Sequence, residues 1–176
     1  GTLHAVKGQS YLLQACALLR DRGVDFACHL IGDGPDRGKL ELQAAALGIG
    51  EFVVFHGACE RERVRALFAR MHIAVAPSVP TADGRREGIP VVLMEAAACG
   101  LPLVASRLSG IPEIVLDGET GYLAEPGDAT GLADSIERVA RSPTLGLRLG
   151  DAARRHLELN FNLPINMARL RRLMLP

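Results

Sequence analysis

Two glutamates eight residues apart bracket the segment Glu87-Gly88-Ile89-Pro90-Val91-Val92-Leu93-Met94-Glu95. An ionised carboxylate only accepts hydrogen bonds, so its natural targets are hydroxyl donors. Gly88 lets the backbone come close to a ligand. Pro90 stands where a helix should begin, because proline at the first helical position loses no useful donor and has its φ preset. The amides of Val91 and Val92 then face outward at a helix end whose dipole favours an anion. An anion site with a hydroxyl acceptor on either side suits a sugar, a diphosphate and a ribose in a row. That describes a nucleotide sugar.

Other chemistries fit these residues less well. If the helix begins at Pro90, Glu95 lies about 7.5 Å further along an axis rising about 1.5 Å per residue. Glu87 lies outside the helix, so the pair is wider than the ~5–5.5 Å of retaining glycoside hydrolases. The turn Gly32-Asp33-Gly34, with Gly38 beyond it, imitates a dinucleotide fingerprint. Its spacing is one residue too long, Asp33 would oppose a pyrophosphate, and Phe55 and His56 occupy the place of the acidic ribose partner. The five histidines lack metal-ligand spacing and there is no Asp-x-Asp, so no metal or other cofactor is expected. Ser78, Ser106 and Ser109 lack the context of a nucleophile elbow. The plain alternative, two solvated glutamates, holds for most acidic residues taken singly. Lys7 beside Gly8, and Arg85 and Arg86 before Glu87, are likewise open to reading as solvated loop charges.

The elements that must position these residues alternate along the chain. Leu12, Cys16 and Leu19 recur at helical spacing and Gly23 ends that helix. Phe26 to Ile31 reads as a strand, followed by a helix through Leu40 and Leu47 to Gly48. Phe52 to Phe55 is a short strand, Val64, Leu67 and Phe68 mark a helix, and Ile73 to Ala76 the next strand. Pro90 to Cys99 is apolar nearly all round and predicts a buried helix, with cover by a second domain open as part of that burial. Leu101 to Ala105 and Tyr122 to Ala124 complete the strands, and Asp117 to Gly121 is a turn into the last one. Leu132, Ile136 and Val139 set a helix after Asp128, and another runs from about Pro143 to Leu159. This alternation predicts one α/β domain over residues 1–176, a doubly wound, Rossmann-like parallel sheet of about six strands with helices on both faces. In such sheets ligands bind outside the carboxyl ends of the strands. Lys7 after a first strand at the start of the chain, Gly32 to Pro35 after the second, Pro77-Ser78 after the fourth and Glu87 to Pro90 before the next helix all fall there.

Composition removes several classes. Of 176 residues, twenty basic balance twenty acidic, which argues against a nucleic-acid partner. Aromatics are 4% with no Trp, so base-stacking platforms are scarce. No apolar run approaches the ~20 residues of a membrane span. Cys16, Cys28, Cys59 and Cys99 form no Cys-x-x-Cys, and Cys16 and Cys28 read as core residues in a reduced, cytoplasmic setting. The segment Ile165 to Met174 sets Ile165, Leu170, Leu173 and Met174 against Arg169, Arg171 and Arg172, a pattern open to peripheral membrane association.

The Glu-x7-Glu segment resembles the signature of retaining GT-B glycosyltransferases of group 1, or family 4. Lys7-Gly8, Gly32-Asp33-Gly34-Pro35, Phe55-His56-Gly57, Pro77-Ser78, Gly110-Ile111-Pro112-Glu113-Ile114-Val115 and Asp117-Gly118-Glu119-Thr120-Gly121 agree in order and spacing. The resemblance implies the C-terminal, donor-binding half of a GT-B fold, with the N-terminal acceptor domain absent from this chain. It implies transfer of a hexosyl unit from a nucleoside-diphosphate sugar with retention, and no metal. Alternatives on the same fold are a nucleotide-sugar isomerase or epimerase, or a non-catalytic binding module. By the same resemblance Glu87 contacts the donor sugar, Glu95 the ribose hydroxyls, and the amides of Gly88, Ile89, Pro90-Val91 and Val92 the sugar or phosphates. Lys7 would neutralise the leaving diphosphate, Gly32 and Asp33 would lie near the nucleotide, and the Gly57-Ala58-Cys59 backbone would touch the base. The chain departs from the pattern at Gly1-Thr2, where many relatives have arginine after the glycine. A hydroxyl does not replace a guanidinium electrostatically. Terminal helices in this family pack back across the domain interface, the role expected of Ile165 to Met174.

Overall fold

A computed structural model describes residues 1–174. Helix α1 (Gln9–Asp21) leads to β1 (Cys28–Ile31), α2 (Arg37–Ala46) to β2 (Val53–Gly57), and α3 (Arg61–Phe68) to β3 (Ala74–Ala76). Then come α4 (Val91–Ala98), β4 (Leu103–Ser106), the short α5 (Ile111–Ile114) and β5 (Gly121–Ala124). The chain closes through α6 (Ala129–Ala140), α7 (Pro143–Asn160) and α8 (Leu163–Met174). All strand pairs are parallel, and a helix separates each pair of successive strands. No helix of the described residues is long and apolar enough to cross a membrane.

The strands form two sheets, β1-β2 and β3-β4-β5. The expectation of about six strands in one sheet is therefore corrected to five in two among the described residues. Residues ahead of Lys7, read as a first strand, do not pair as one. Ala5–Lys7 is a 3-10 turn, and the Gly1 and Leu3 nitrogens bond at and just past the carboxyl end of β1. The Gly1 nitrogen donates to the Ile31 carbonyl at 2.5 Å and Leu3 N to Asp33 O at 2.9 Å. On its other side Val79 N donates to Val6 O at 3.0 Å, just beyond β3. The segment ties the carboxyl ends of β1 and β3 together instead of running between them.

Helices cover both faces. Along β4, Val104 belongs to one apolar core and its neighbours Leu103 and Ala105 to another, as side chains alternating across a strand require. The first core gathers Leu13 and Leu19 of α1, Leu40 of α2, and Leu132 and Ile136 of α6. The second gathers Leu93 of α4, Ile111 and Ile114 of α5, and Ala153 of α7. A fully buried leucine contributes about 1.5–3 kcal/mol, so these cores hold the layers together more than helix propensity does. Cys16 is buried beside Cys28, and hydrogen bonding to Cys28, then burial, push its thiol up.

Three local details add to the sequence reading. Pro90 is the N-cap residue of α4 and Val91 its first helical residue. That helix is not buried all round. Leu93, Ala96 and Ala97 face the core, while Val91 is 61% exposed and Glu95 is exposed too. Eight residues rich in alanine bury one narrow stripe against α7 and leave the opposite stripe outward. Helix α8 has no buried residue, and Leu163, Met167, Leu170 and Met174 stand exposed.

Gly8 combines a left-handed φ of 68° with a Cβ position that the Pro77 carbonyl already fills. Gly8→Ala should lower the unfolding free energy by more than about 2 kcal/mol, from left-handed strain plus backbone displacement. Urea denaturation checks this; an unchanged midpoint would refute the close approach.

His29 and His56 stack with ring centroids 5.1 Å apart and a 2.8 Å contact from Nδ1 to Nε2. Burial, then His29, then Arg63 hold His56 below the usual imidazole value of 6.5. The unfolded chain then takes up this proton first as pH falls. Stability from this site is complete well above pH 6.5 and is lost as pH drops through and below that value. Melting curves between about pH 8 and 5 should show this slope, and His56→Gln should flatten it.

Candidate functional site

The site forms where the ends of β1 and β3 meet the N-terminus of α4. Gly8 presses its backbone against the Pro77 carbonyl, which carries the 3-10 turn over the loop that follows β3. Lys7, the last residue of that turn, thereby reaches across eighty positions of sequence to pair with Glu87 Oε1. The other carboxylate oxygen, Oε2, accepts from Ser78 Oγ at 2.5 Å. Ser78 is 1% exposed, so this hydroxyl is a fixed internal post for the carboxylate. Lys7 and Glu87 are only partly buried, with side chains 29% and 14% exposed, and remain open to a ligand.

Between Ser78 and Glu87 the chain makes its own closed turn. Thr81 N donates to Arg85 O at 3.0 Å, and Gly84 N to Thr81 O at 2.9 Å. The Thr81 hydroxyl donates to Asp83 at 2.5 Å and holds that carboxyl below its usual range. Arg85 pairs with Asp83 at 3.1 Å, and both are exposed. The solvated reading of Arg85 therefore fits the structure. Arg86 is exposed as well.

After Glu87, Gly88 is exposed with open space around its α-carbon. The Ile89 side chain turns inward to the second core, where a Cβ on Gly110 would sit only 2.9 Å from Ile89 Cγ1. Only the backbone of Ile89 can thus serve a ligand, and Gly110 makes the room that lets it. Pro90 caps α4 without a side-chain hydrogen bond. Hence no side chain competes for the first-turn amides at Val91 and Val92, which sit at the positive end of the helix dipole. Glu95 follows on the exposed stripe of α4, one turn after Val91.

The remaining residues surround Gly1. Lys7, Glu95, Cys59 and Glu87 all lie near the backbone nitrogen of Gly1. All four side chains therefore lie within electrostatic reach of one point. Gly32 N donates to Gly57 O at 2.9 Å, and a Cβ at Gly32 would overlap the Gly1 carbonyl. A Cβ at Gly34 would likewise meet the Leu3 backbone. These glycines are required by the close passage of residues 1 to 3, which explains their spacing without a dinucleotide. Asp33 is exposed, accepts the Gly34 amide at 2.8 Å and lies 3.8 Å from Arg37, so it shapes the turn. Cys59 directs its thiol at the carbonyls of Gly57 and His56, 3.6 and 3.9 Å away.

The structure thus gathers Lys7, Glu87 and the α4 N-terminus into one cluster, with Glu95, Cys59 and the Gly32 turn around it. A neighbouring cleft of about 520 Å³ is lined by His4, Gln9, Asp36, Lys39 and Thr81, but by neither glutamate. The acidic pair stands on an open rim. Among the described residues, no group of three or more His, Cys, Asp and Glu could hold a metal ion. Ser78 is the residue to which the sequence alone assigns no role: it reads as a rim residue and not as a nucleophile. Its place directly after β3 was the available signal, because a serine at that strand end faces the same rim as Glu87.

A cation, a carboxylate and outward helix amides on one rim can take an anion and a hydroxyl-bearing group together. Residues 1–156 match the family described as glycosyl transferases group 1. The amylovoran biosynthesis glycosyltransferase AmsK of Erwinia amylovora is 36% identical over 156 residues, covering 89% of this chain and 38% of that protein. A GDP-mannose-dependent α-(1-6)-phosphatidylinositol monomannoside mannosyltransferase of Mycolicibacterium smegmatis is 35% identical, covering 84% of this chain and 39% of that protein. The chain therefore spans well under half the length of these relatives. Among solved structures, Anabaena HepE in complex with UDP superposes with a TM-score of 0.85 at 26% identity, covering 99% of this chain and 47% of that one. The C-terminal domain of a Francisella tularensis group 1 glycosyl transferase, LpcC, shares the fold with a TM-score of 0.81 at 21% identity, covering 93% of this chain and 84% of that one. By this extent of match, the chain belongs to the group 1 family of glycosyl transferases.

Proposed function

We propose that this chain is the donor-binding part of a retaining glycosyltransferase that moves a hexosyl unit from a nucleoside-diphosphate sugar to an acceptor hydroxyl. The observation that carries the reading is the joining of Lys7 and Glu87 beside the uncapped N-terminus of α4. Diphosphate charge falls to the Val91 and Val92 amides and Lys7. Such preorganised donors stabilise a leaving group as it gains charge, without requiring a metal. Glu87 accepts from a donor-sugar hydroxyl, and Glu95, one helical turn further out, from the ribose. The backbones of Gly88 and Ile89 border the sugar, and the Gly32-Asp33 turn and Cys59 border the nucleoside. A relative named as GDP-mannose-dependent and a neighbour solved with UDP support a nucleoside-diphosphate donor, while leaving two bases open. The acceptor would come from a further domain of a longer protein, working in the cytoplasm or at the membrane surface.

If Glu95 holds both ribose hydroxyls, Glu95→Ala should weaken ribonucleoside-diphosphate binding by about 1.5–3 kcal/mol, the scale of a hydrogen bond to a charged group. Calorimetry with the 2′-deoxy nucleotide should show a smaller loss on the same substitution. Equal losses would remove Glu95 from the ribose.

A two-domain cleft gains about 7–11 kcal/mol from holding donor and acceptor together. Residues 1–176 alone should accordingly bind nucleotide without measurable sugar transfer, whereas a longer protein carrying an acceptor domain should transfer. In that protein Glu87→Ala should reduce turnover more than it reduces nucleoside-diphosphate affinity. Product chromatography with each protein checks this, and robust transfer by residues 1–176 would overturn it.

A further inference from the structure

Glu87 uses both carboxylate oxygens inside the protein, Oε1 on the Lys7 ammonium and Oε2 on the Ser78 hydroxyl. Lys7 is thus held by an anion at the place where a diphosphate would need it. A phosphate and a carboxylate compete for the same ammonium, and drawn to it together they repel each other. On the donor-site reading above, we propose that Glu87 is an internal competitor for Lys7. The competition makes the site discriminate a nucleoside diphosphate that carries a sugar from the bare diphosphate.

A bare diphosphate draws Lys7 away and leaves Glu87 short of a partner while facing a second anion. A nucleotide sugar brings its own hydroxyl donor with its phosphates. The hydroxyl takes the place of Lys7 on Oε1 as the ammonium turns to the phosphate, and every charged group ends with a partner. Ser78 keeps Oε2 throughout. Its burial fixes the carboxylate, so the lysine moves and the acceptor does not. The same bias acts against the diphosphate left behind once the sugar has gone, and favours its release.

The test is calorimetry of the protein with UDP, GDP, UDP-glucose and GDP-mannose. The variants are Glu87→Gln, Lys7→Met, the two combined, and Ser78→Ala. Glu87→Gln keeps the shape and removes the competing charge. It should bind the accepted bare diphosphate roughly two- to fivefold tighter, the range of a partly exposed ion pair. The matching nucleotide sugar should bind no tighter. The gain should vanish when Lys7→Met is added, since no ammonium is then contested. Ser78→Ala, which retains both charges but unties the carboxylate, should move bare-diphosphate affinity the same way by a smaller factor. It carries the test if Glu87→Gln does not fold, as judged by its melting curve. Unchanged or weaker bare-diphosphate binding in these variants overturns the competition, as does a gain that persists without Lys7. If the unaltered protein binds none of the four probes, the donor-site reading itself fails. Binding without the gain sinks the competition alone.

Discussion

The approach of the Gly8 backbone to the Pro77 carbonyl is the constraint from which the site follows. It needs a residue with no Cβ in a left-handed conformation, and Gly8 supplies both. With the two backbones in contact, Val6 can bond Val79, and Lys7 lands on the loop that carries Glu87. Ser78, the residue after the contacted carbonyl, then lies under the same carboxylate. The two sheets share no strand pairing, so this junction and the packed helices carry the connection between them.

Magnitudes separate what holds the fold from what shapes the site. A partly exposed ion pair such as Lys7–Glu87 is worth about 0–1 kcal/mol, less than one well-buried leucine. Its effect is geometric. The buried Ser78 hydroxyl matters more for position, because a buried hydroxyl without a partner costs about 1–3 kcal/mol, and Glu87 supplies that partner. A similar logic holds the turn into β5. There Thr120, 2% exposed, accepts from Leu116 N at 2.8 Å and donates to Ile114 O at 3.1 Å.

Much of this was legible in the chain, for reasons that differ by element. Helices α1, α6 and α7 have strong apolar periodicity and sharp ends at Gly23, Asp128 and Pro143, and all three appear within a few residues of their expected bounds. The carboxyl-end rim followed from strand and helix alternation. The missing first strand was not legible, because Gly1 to Leu3 has the composition of a strand end and only its bonding partners reveal that it bridges two sheets. Which stripe of α4 this chain itself buries was not legible for a related reason. Apolarity all round an alanine-rich helix cannot tell which stripe the neighbours will cover, and here Val91 was left outside. The Lys7–Glu87–Ser78 cluster joins positions far apart in sequence through a backbone contact that no periodicity encodes. Short α5 went unread, since four residues around Pro112 are too few to show a period.

Charge at the rim gives the cluster its meaning. Glu87 and Glu95 place two negative charges near Gly1, and Lys7 brings one positive charge. Thr2 adds none, and Arg85 is engaged by Asp83. An anionic ligand therefore meets Glu87 and Glu95 as well as Lys7 at this rim. Attraction must come largely from the amides at the start of α4, whose dipole is fixed and costs no rearrangement when used. On the competition proposed above, a lysine so placed decides between competing anions, and its partner Glu87 selects ligands that bring a hydroxyl alongside their phosphates.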